Sequence, residues 1–171
     1  MDKAATRPLW RQALEDTDWS MLCHAYGTAG DTPAHLHALL GENPDKRTAA
    51  EYHLNSAIIH QGTPWPATAP VTTIVAGMLM DTATAPFMQK SRQALIDFLT
   101  EVDESIGQMS ATDWPKLETM AAHDISPLLV AADYDAIYGD EDAANALFAQ
   151  SMLDLRNIAP LIRAGIAALR P

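Results

Sequence analysis

The sequence predicts an all-α fold, and three observations carry that prediction. Alanine is abundant and, like leucine, methionine and glutamine, favours helix, while valine, a strand former, occurs only as Val71, Val75, Val102 and Val130. Apolar residues recur at helical spacing in several segments. Prolines stand at the head of these segments, where the first-turn amides have no intrahelical partner to lose.

Taken in order, helices are expected over 8–16 and over 32–40, where Leu36, Leu39 and Leu40 form an apolar face and Asp31 precedes Pro33 as a cap. Asn43 and Pro44 open a helix over 44–60. Residues 69–80 include the best strand candidate, Val71–Val75, but it runs straight into an apolar helical segment, so helix is preferred. After Pro86, the face Leu95, Ile96, Leu99, Val102 and Ile106 marks 86–106. Asp113 ahead of Pro115 opens 114–122, and Ser126 ahead of Pro127 opens 127–138. Leu147, Met152, Leu155, Ile158 and Ile162 mark 141–156 and 159–169, with a break at Pro160. Alternate prolines recur every 42 and 41 residues (Pro44, Pro86, Pro127) and every 37 and 45 residues (Pro33, Pro70, Pro115). A period near 40 with two helices per unit predicts stacked helix pairs in a right-handed α-α superhelix, the first and last helices acting as caps.

The chain has 171 residues, 48% apolar and 19% charged, enough for one packed domain over 1–171. Acidic residues outnumber Lys and Arg 22 to 11, a net charge of −11. That balance disfavours nucleic acid and anionic membranes and suits a basic partner. A lone Cys23 cannot form an internal disulfide. The first fifteen residues lack the apolar run of a secretory leader, and Val71–Met80 is too short to span a bilayer, so the expected location is cytoplasmic.

No catalytic pattern emerges. His35 and His37 point to different sides of a helix, and His53 and His60 lie two turns apart without a His-Glu-x-x-His context. The serines lack a nucleophile-elbow context, the glycines form no phosphate loop, and the Asp133/Asp135/Gly139 spacing fails the calcium-loop pattern. No cofactor and no metal are expected. Charge is more informative. No Lys or Arg occurs between Lys116 and Arg156, while Asp133, Asp135, Asp140 and Asp142 are acidic; a second cluster holds Asp97, Glu101 and Glu104. These seven acids, with Tyr134 and Tyr138, form the expected partner-binding surface, with Tyr134, Tyr138 or Trp114 as an aromatic anchor near its centre.

Two blocks between Asp18 and Met80 have a further pattern. His24-Ala25-Tyr26-Gly27, then Asp31 and Pro33, form the first; His60-Gln61-Gly62-Thr63, then Ala67, Thr68 and Pro70, form the second. Over roughly the first half of the chain these resemble a group of small bacterial HEAT-repeat-like proteins. The sequence departs from that group at Trp65–Pro66 and at Thr72–Thr73, where larger apolar residues are expected. Some members stand beside polymorphic toxin loci, so the resemblance implies an immunity role. His24, Tyr26, Gly27, His60, Gln61, Gly62 and Thr63 are read as a structural motif: Gly62 ends a helix in a left-handed conformation and a mainly buried His60 bonds the last carbonyls or the neighbouring repeat. The functional expectation is a non-enzymatic protein-binding module, an immunity-type inhibitor of a basic, cytoplasm-acting toxin. The alternatives are a scaffold or adaptor of another complex, and a small enzyme in which His24, His53 and His60 converge on a pocket with an acid such as Glu51.

Overall fold

The computed structural model describes residues 7–170; residues 1–6, part of the stretch read for a leader, and Pro171 lie outside the described residues. Helix makes up 74% of the structure, in keeping with the all-α expectation. The helices are α1 (Leu9–Asp16), α2 (Thr32–Leu39), α3 (Pro44–His53), α4 (Thr68–Met80), α5 (Ala85–Met88), α6 (Arg92–Gly107), α7 (Trp114–Ala121), α8 (Ser126–Val130), α9 (Tyr134–Gly139) and α10 (Glu141–Leu169). Two short antiparallel hairpins interrupt them: β1 (Cys23–His24) with β2 (Gly27–Thr28), and β3 (Ile59–His60) with β4 (Thr63–Pro64).

Helix α4 is the centre of the core. Val71, Ile74, Val75, Ala76 and Met78 are fully buried on it. Thr72 and Thr73, out of place in an apolar helix, satisfy their hydroxyls on the carbonyls of Thr68 and Ala69 at 2.7 and 2.9 Å, so neither carries an unpaired donor. On one side α1 lies so close that a Cβ at Gly77 would sit 2.7 Å from the Trp10 Cβ. On another side α10 approaches through Gly165, where a Cβ would meet Leu99 and Ala76 at 3.1 and 3.4 Å. Small residues at these positions are what let three helices share one core.

The 29 residues of α10 extend about 43 Å and pack along α4, α6 and α7. The expected break at Pro160 does not occur. Pro160 is exposed, so the carbonyl it leaves unbonded faces water. Met152 and Leu155 before it, and Ile162, Gly165 and Leu169 after it, are buried, and that burial offsets a local penalty of about 3 kcal/mol. The Leu169 carbonyl is also tied to the Arg92 Nε–H at 2.7 Å. The return of α10 onto α4 is a contact between distant parts of the chain, whereas a stack of repeats contacts nearest neighbours only.

Three other expected helices are divided. The helix over 44–60 ends at His53 and continues as a π turn over Leu54–Ile58, held by the Asn55 side-chain amide on the carbonyls of Glu51 and Ala94. Residues 86–106 split into α5, a 3₁₀ turn over Gln89–Ser91 and α6. Residues 127–138 split at Ala132, whose φ is +51°. Among the described residues no single helix is long and apolar enough to cross a membrane; α4 with α5–α6 reaches the required length only as a pair bent by 111°.

The contact between Gly77 and Trp10 gives a prediction of inverted sign. A Gly-to-Ala change inside a helix ordinarily stabilises by roughly 0.5–1 kcal/mol. Gly77→Ala is expected to destabilise by about 1–3 kcal/mol in denaturant unfolding, because Trp10 and α1 must move. A gain in stability would contradict the packing of α1 on α4.

Candidate functional site

Both motif blocks fold as tight hairpins, and this corrects the reading of His60-Gln61-Gly62-Thr63 as a helix end. Gln61 and Gly62 have φ of +52° and +74°, the two left-handed residues of a two-residue hairpin turn. Gly62 is left-handed as expected, but in the turn of β3–β4. His60 lies on β3, half-buried rather than mainly buried, and its Nδ1–H donates to the Ser56 carbonyl at 2.9 Å. Gly27, with φ of +130°, serves the first hairpin, and Thr63 pairs with His60 across the second.

The hairpins and α2–α3 bring together a row of rings that holds His24, His53 and His60, the three histidines of the enzymatic alternative, together with His35 and Tyr26. His35 stacks on His53 with centroids 4.1 Å apart; His53 meets His24 edge-on at 5.1 Å; His24, Tyr26 and His60 continue the row at 6.4 and 5.6 Å. The acid beside them is Asp31, not Glu51. Asp31 makes no side-chain cap to α2; its Oδ1 accepts from His24 Nε2–H at 3.0 Å instead. The Tyr26 backbone N–H donates to His24 Nδ1 at 3.2 Å, which fixes the His24 proton on Nε2. Burial pushes Asp31 up, but the His24 hydrogen bond and the charges of His53 and His24 outweigh it and hold the carboxyl below its usual range. Burial pulls His53 down to about 4, the nearby His35 and His24 adding to this and Asp31 opposing it.

Two chemistries can be weighed on this geometry. His24 Nε2, His53 Nδ1 and an Asp31 oxygen lie within 4.8 Å of one another, within reach of a single metal ion. Ligation by His24 Nε2 requires its proton to move to Nδ1, where the Tyr26 N–H already points, so the donor set fits a hydrogen-bonded cluster better than a metal centre. Thr32 Oγ1, His53 Nε2 at 3.0 Å and Asp31, 4.0 Å from His53 Nδ1, are ordered like a hydroxyl–imidazole–carboxylate triad. Thr32 has no solvent exposure, and 4.0 Å is too long for the second hydrogen bond. Cys23 is fully buried and its thiol is pushed up to about 12 by that burial, so it is no nucleophile.

The acidic residues do not form one cluster: those on α6 lie beside the β3–β4 hairpin, those of α9 and the start of α10 lie beyond it, and Asp142 faces α7 with Thr119, Met120, His123 and Asn145. On α6, Asp97, Glu101 and Glu104 share one face and, with Gly62, Ile96 and Thr100, line an open cavity of about 490 Å³. Glu101 Oε1 accepts from the Gly62 N–H at 2.7 Å, seating the hairpin on α6. On the other side, Asp133 and Asp140 cap α9 and α10 by accepting from the Ala136 and Ala143 amides, both at 3.0 Å. Asp135 and Asp142 are exposed. Tyr134 is half-buried and stacks near Tyr138, whose ring meets Trp65 edge-on at 6.1 Å. Trp114 lies elsewhere, under the Arg156 guanidinium, which also pairs with Glu118.

No family model, curated protein or solved structure matches this chain.

The buried His53 sets a pH dependence. Its folded pKa of about 4 lies below the unfolded 6.5, so between these values the unfolded chain binds more protons. Stability from this group is full above pH 6.5 and is lost as pH falls toward 4, by on the order of 2–3 kcal/mol. The lowered Asp31 extends the loss below its ordinary value of 3.8. Thermal unfolding followed from pH 7 to 4 is expected to show this decline, and His53→Gln to flatten it. Equal decline in both proteins would place the acid sensitivity elsewhere.

Proposed function

We propose that this protein is a non-enzymatic protein-binding module whose partner is basic. The observation that carries the proposal is acidic character on both sides of one hairpin: Asp97, Glu101 and Glu104 on α6, with Glu101 bonded to Gly62, and exposed Asp135 on α9, three residues before the Tyr138 that meets Trp65. Complementary charge of this kind raises association rates and fixes orientation. Exposed Tyr138, beside Trp65 at the hairpin's edge, supplies the aromatic character common at interface centres. Within this reading the protein acts in the cytoplasm as an immunity-type inhibitor of a toxin, a context supported by the resemblance of its two hairpin blocks and by the acidic balance.

The finer architecture, a right-handed stack of HEAT-like pairs, has support in the proline spacing and the contacting α2–α3 pair, while the packing of α10 on α4 speaks against it. Binding through the acidic surface does not depend on it. An enzymatic reading draws on the ring cluster of His24, His53 and Asp31, but Thr32 and both histidines are buried, and only Asp31 is exposed.

The test is a pull-down from the native cell, followed by association of the captured basic protein with this chain at several salt concentrations; failure to capture a basic protein would refute the reading. Asp97→Lys, Glu104→Lys and Asp135→Lys together are expected to slow association at least tenfold with helical content unchanged. Asp140 stays in place because it caps α10. The effect is expected to shrink as salt screens exposed charges over about 8 Å at physiological strength. Unchanged association by the triple variant would refute the acidic surface as the contact.

A further inference from the structure

The geometry points to the cavity between the β3–β4 hairpin and α10 as the seat for one apolar side chain projecting from a basic segment of a partner protein. This rests on the protein-binding reading above and names where its anchor goes. Thr63, Pro64, Trp65, Tyr138, Ala144, Leu147 and Phe148 line a cavity of about 180 Å³. Its lining is almost wholly carbon, and its volume falls below the roughly 300–1,000 Å³ of pockets for cofactors and drug-sized ligands. A single leucine or phenylalanine side chain matches it better than a small-molecule ligand does.

The charge of the occupant follows from the rim. Asp135 lies three residues before Tyr138 on α9, and Glu141 three before Ala144 and seven before Phe148 on α10, so both acids share faces with lining residues. Both are exposed. Glu101, bonded to Gly62, stands on the far side of the same hairpin. The sequence from 117 to 155, which supplies four of the lining residues and this rim, holds no Lys or Arg. An apolar seat within an acidic rim selects a segment with Lys or Arg flanking an apolar residue. It disfavours acidic and nucleic-acid partners.

The walls are positioned independently of any occupant. Tyr138 is braced by Trp65 edge-on and by the stack with Tyr134. Gly62 bonded to Glu101 holds the hairpin wall, and the Asp140 cap fixes the start of α10. The Trp65 indole N–H is buried and without a hydrogen-bond partner, so its proton resonance is a specific reporter of a group entering beside it.

The test uses the full chain and three synthetic twelve-residue peptides followed by NMR titration: a Lys/Arg-rich peptide with one central Phe, the same peptide with Gly in its place, and a Ser/Gln-rich peptide with the central Phe. At low salt the basic Phe peptide is expected to bind at least roughly tenfold more tightly than the Gly peptide, as burial of one aromatic side chain requires, and to shift the Trp65 indole signal. Ala144→Leu, which fills the cavity, is expected to abolish that advantage while leaving the Gly peptide's affinity unchanged. Tyr138→Ala, which removes a wall, is expected to do the same and serves if the first variant fails to fold. Equal binding of the two basic peptides with no shift at Trp65 overturns the cavity as anchor site and leaves the acidic surface standing. Equal binding of the neutral Phe peptide overturns the basic character of the occupant. No binding by any peptide overturns this inference alone, because the acidic surface is judged by the association experiment on the whole partner.

Discussion

The close approach of α4 to its neighbours is the constraint on which the remaining structure depends. Ala76 and Gly165 let α10 lie against α4, and Gly77 admits Trp10 and α1 on another side. A helix packed this tightly has little room for side-chain volume, and its polar Thr72 and Thr73 are tolerated only because they bond their own helix. With α10 seated there, its N-terminal half is carried past α6 and α7. That places Ala144, Leu147 and Phe148 beside the β3–β4 hairpin. The candidate interface is thus an outcome of core packing some 20 residues away along the same rigid helix.

Polar groups enter this interior through the hairpins, and apart from the Trp65 indole N–H the ring and hydroxyl groups there have partners. His24 uses both ring nitrogens, one as acceptor from the Tyr26 amide and one as donor to Asp31. His53 holds Thr32, and Thr68 reaches both the Ile58 carbonyl and the Trp65 amide. A satisfied network of this type specifies one arrangement of four short segments that are too small to fold alone. Its sensitivity to acid follows from the same packing, since a proton on His53 would add charge between two other imidazoles with only Asp31 to offset it.

How far the sequence foretold this varies with the range of the interaction. The faces Leu36–Leu39 and Leu95–Leu99–Val102 were legible because helical periodicity is local, and those residues are buried. Asn43 caps α3 as its position before Pro44 suggested. Asp31 and Asp113 carry the same signal but turn to His24 and Ser110, partners that spacing alone does not favour over the cap. Pro160 was misread because a local rule was overridden by burial on both sides of it. Ala132 breaks a helix with no Gly or Asn to mark the turn. The left-handed Gly62 was anticipated, yet assigned to a helix end because two-residue strands leave no alternating pattern to read. Of the acidic surface, the charge was legible; that Asp133 and Asp140 are caps, and that Trp65 joins Tyr138, depended on tertiary contacts.

The account's central claim is that the β3–β4 hairpin joins two acidic clusters into one binding surface. Amide hydrogen exchange of the protein alone and in complex with the basic partner proposed above tests this most directly. The account predicts one contiguous footprint, with slowed exchange across 97–104, 60–66 and 133–148. Protection confined to one cluster, or lying on α2 and α3 instead, would contradict it.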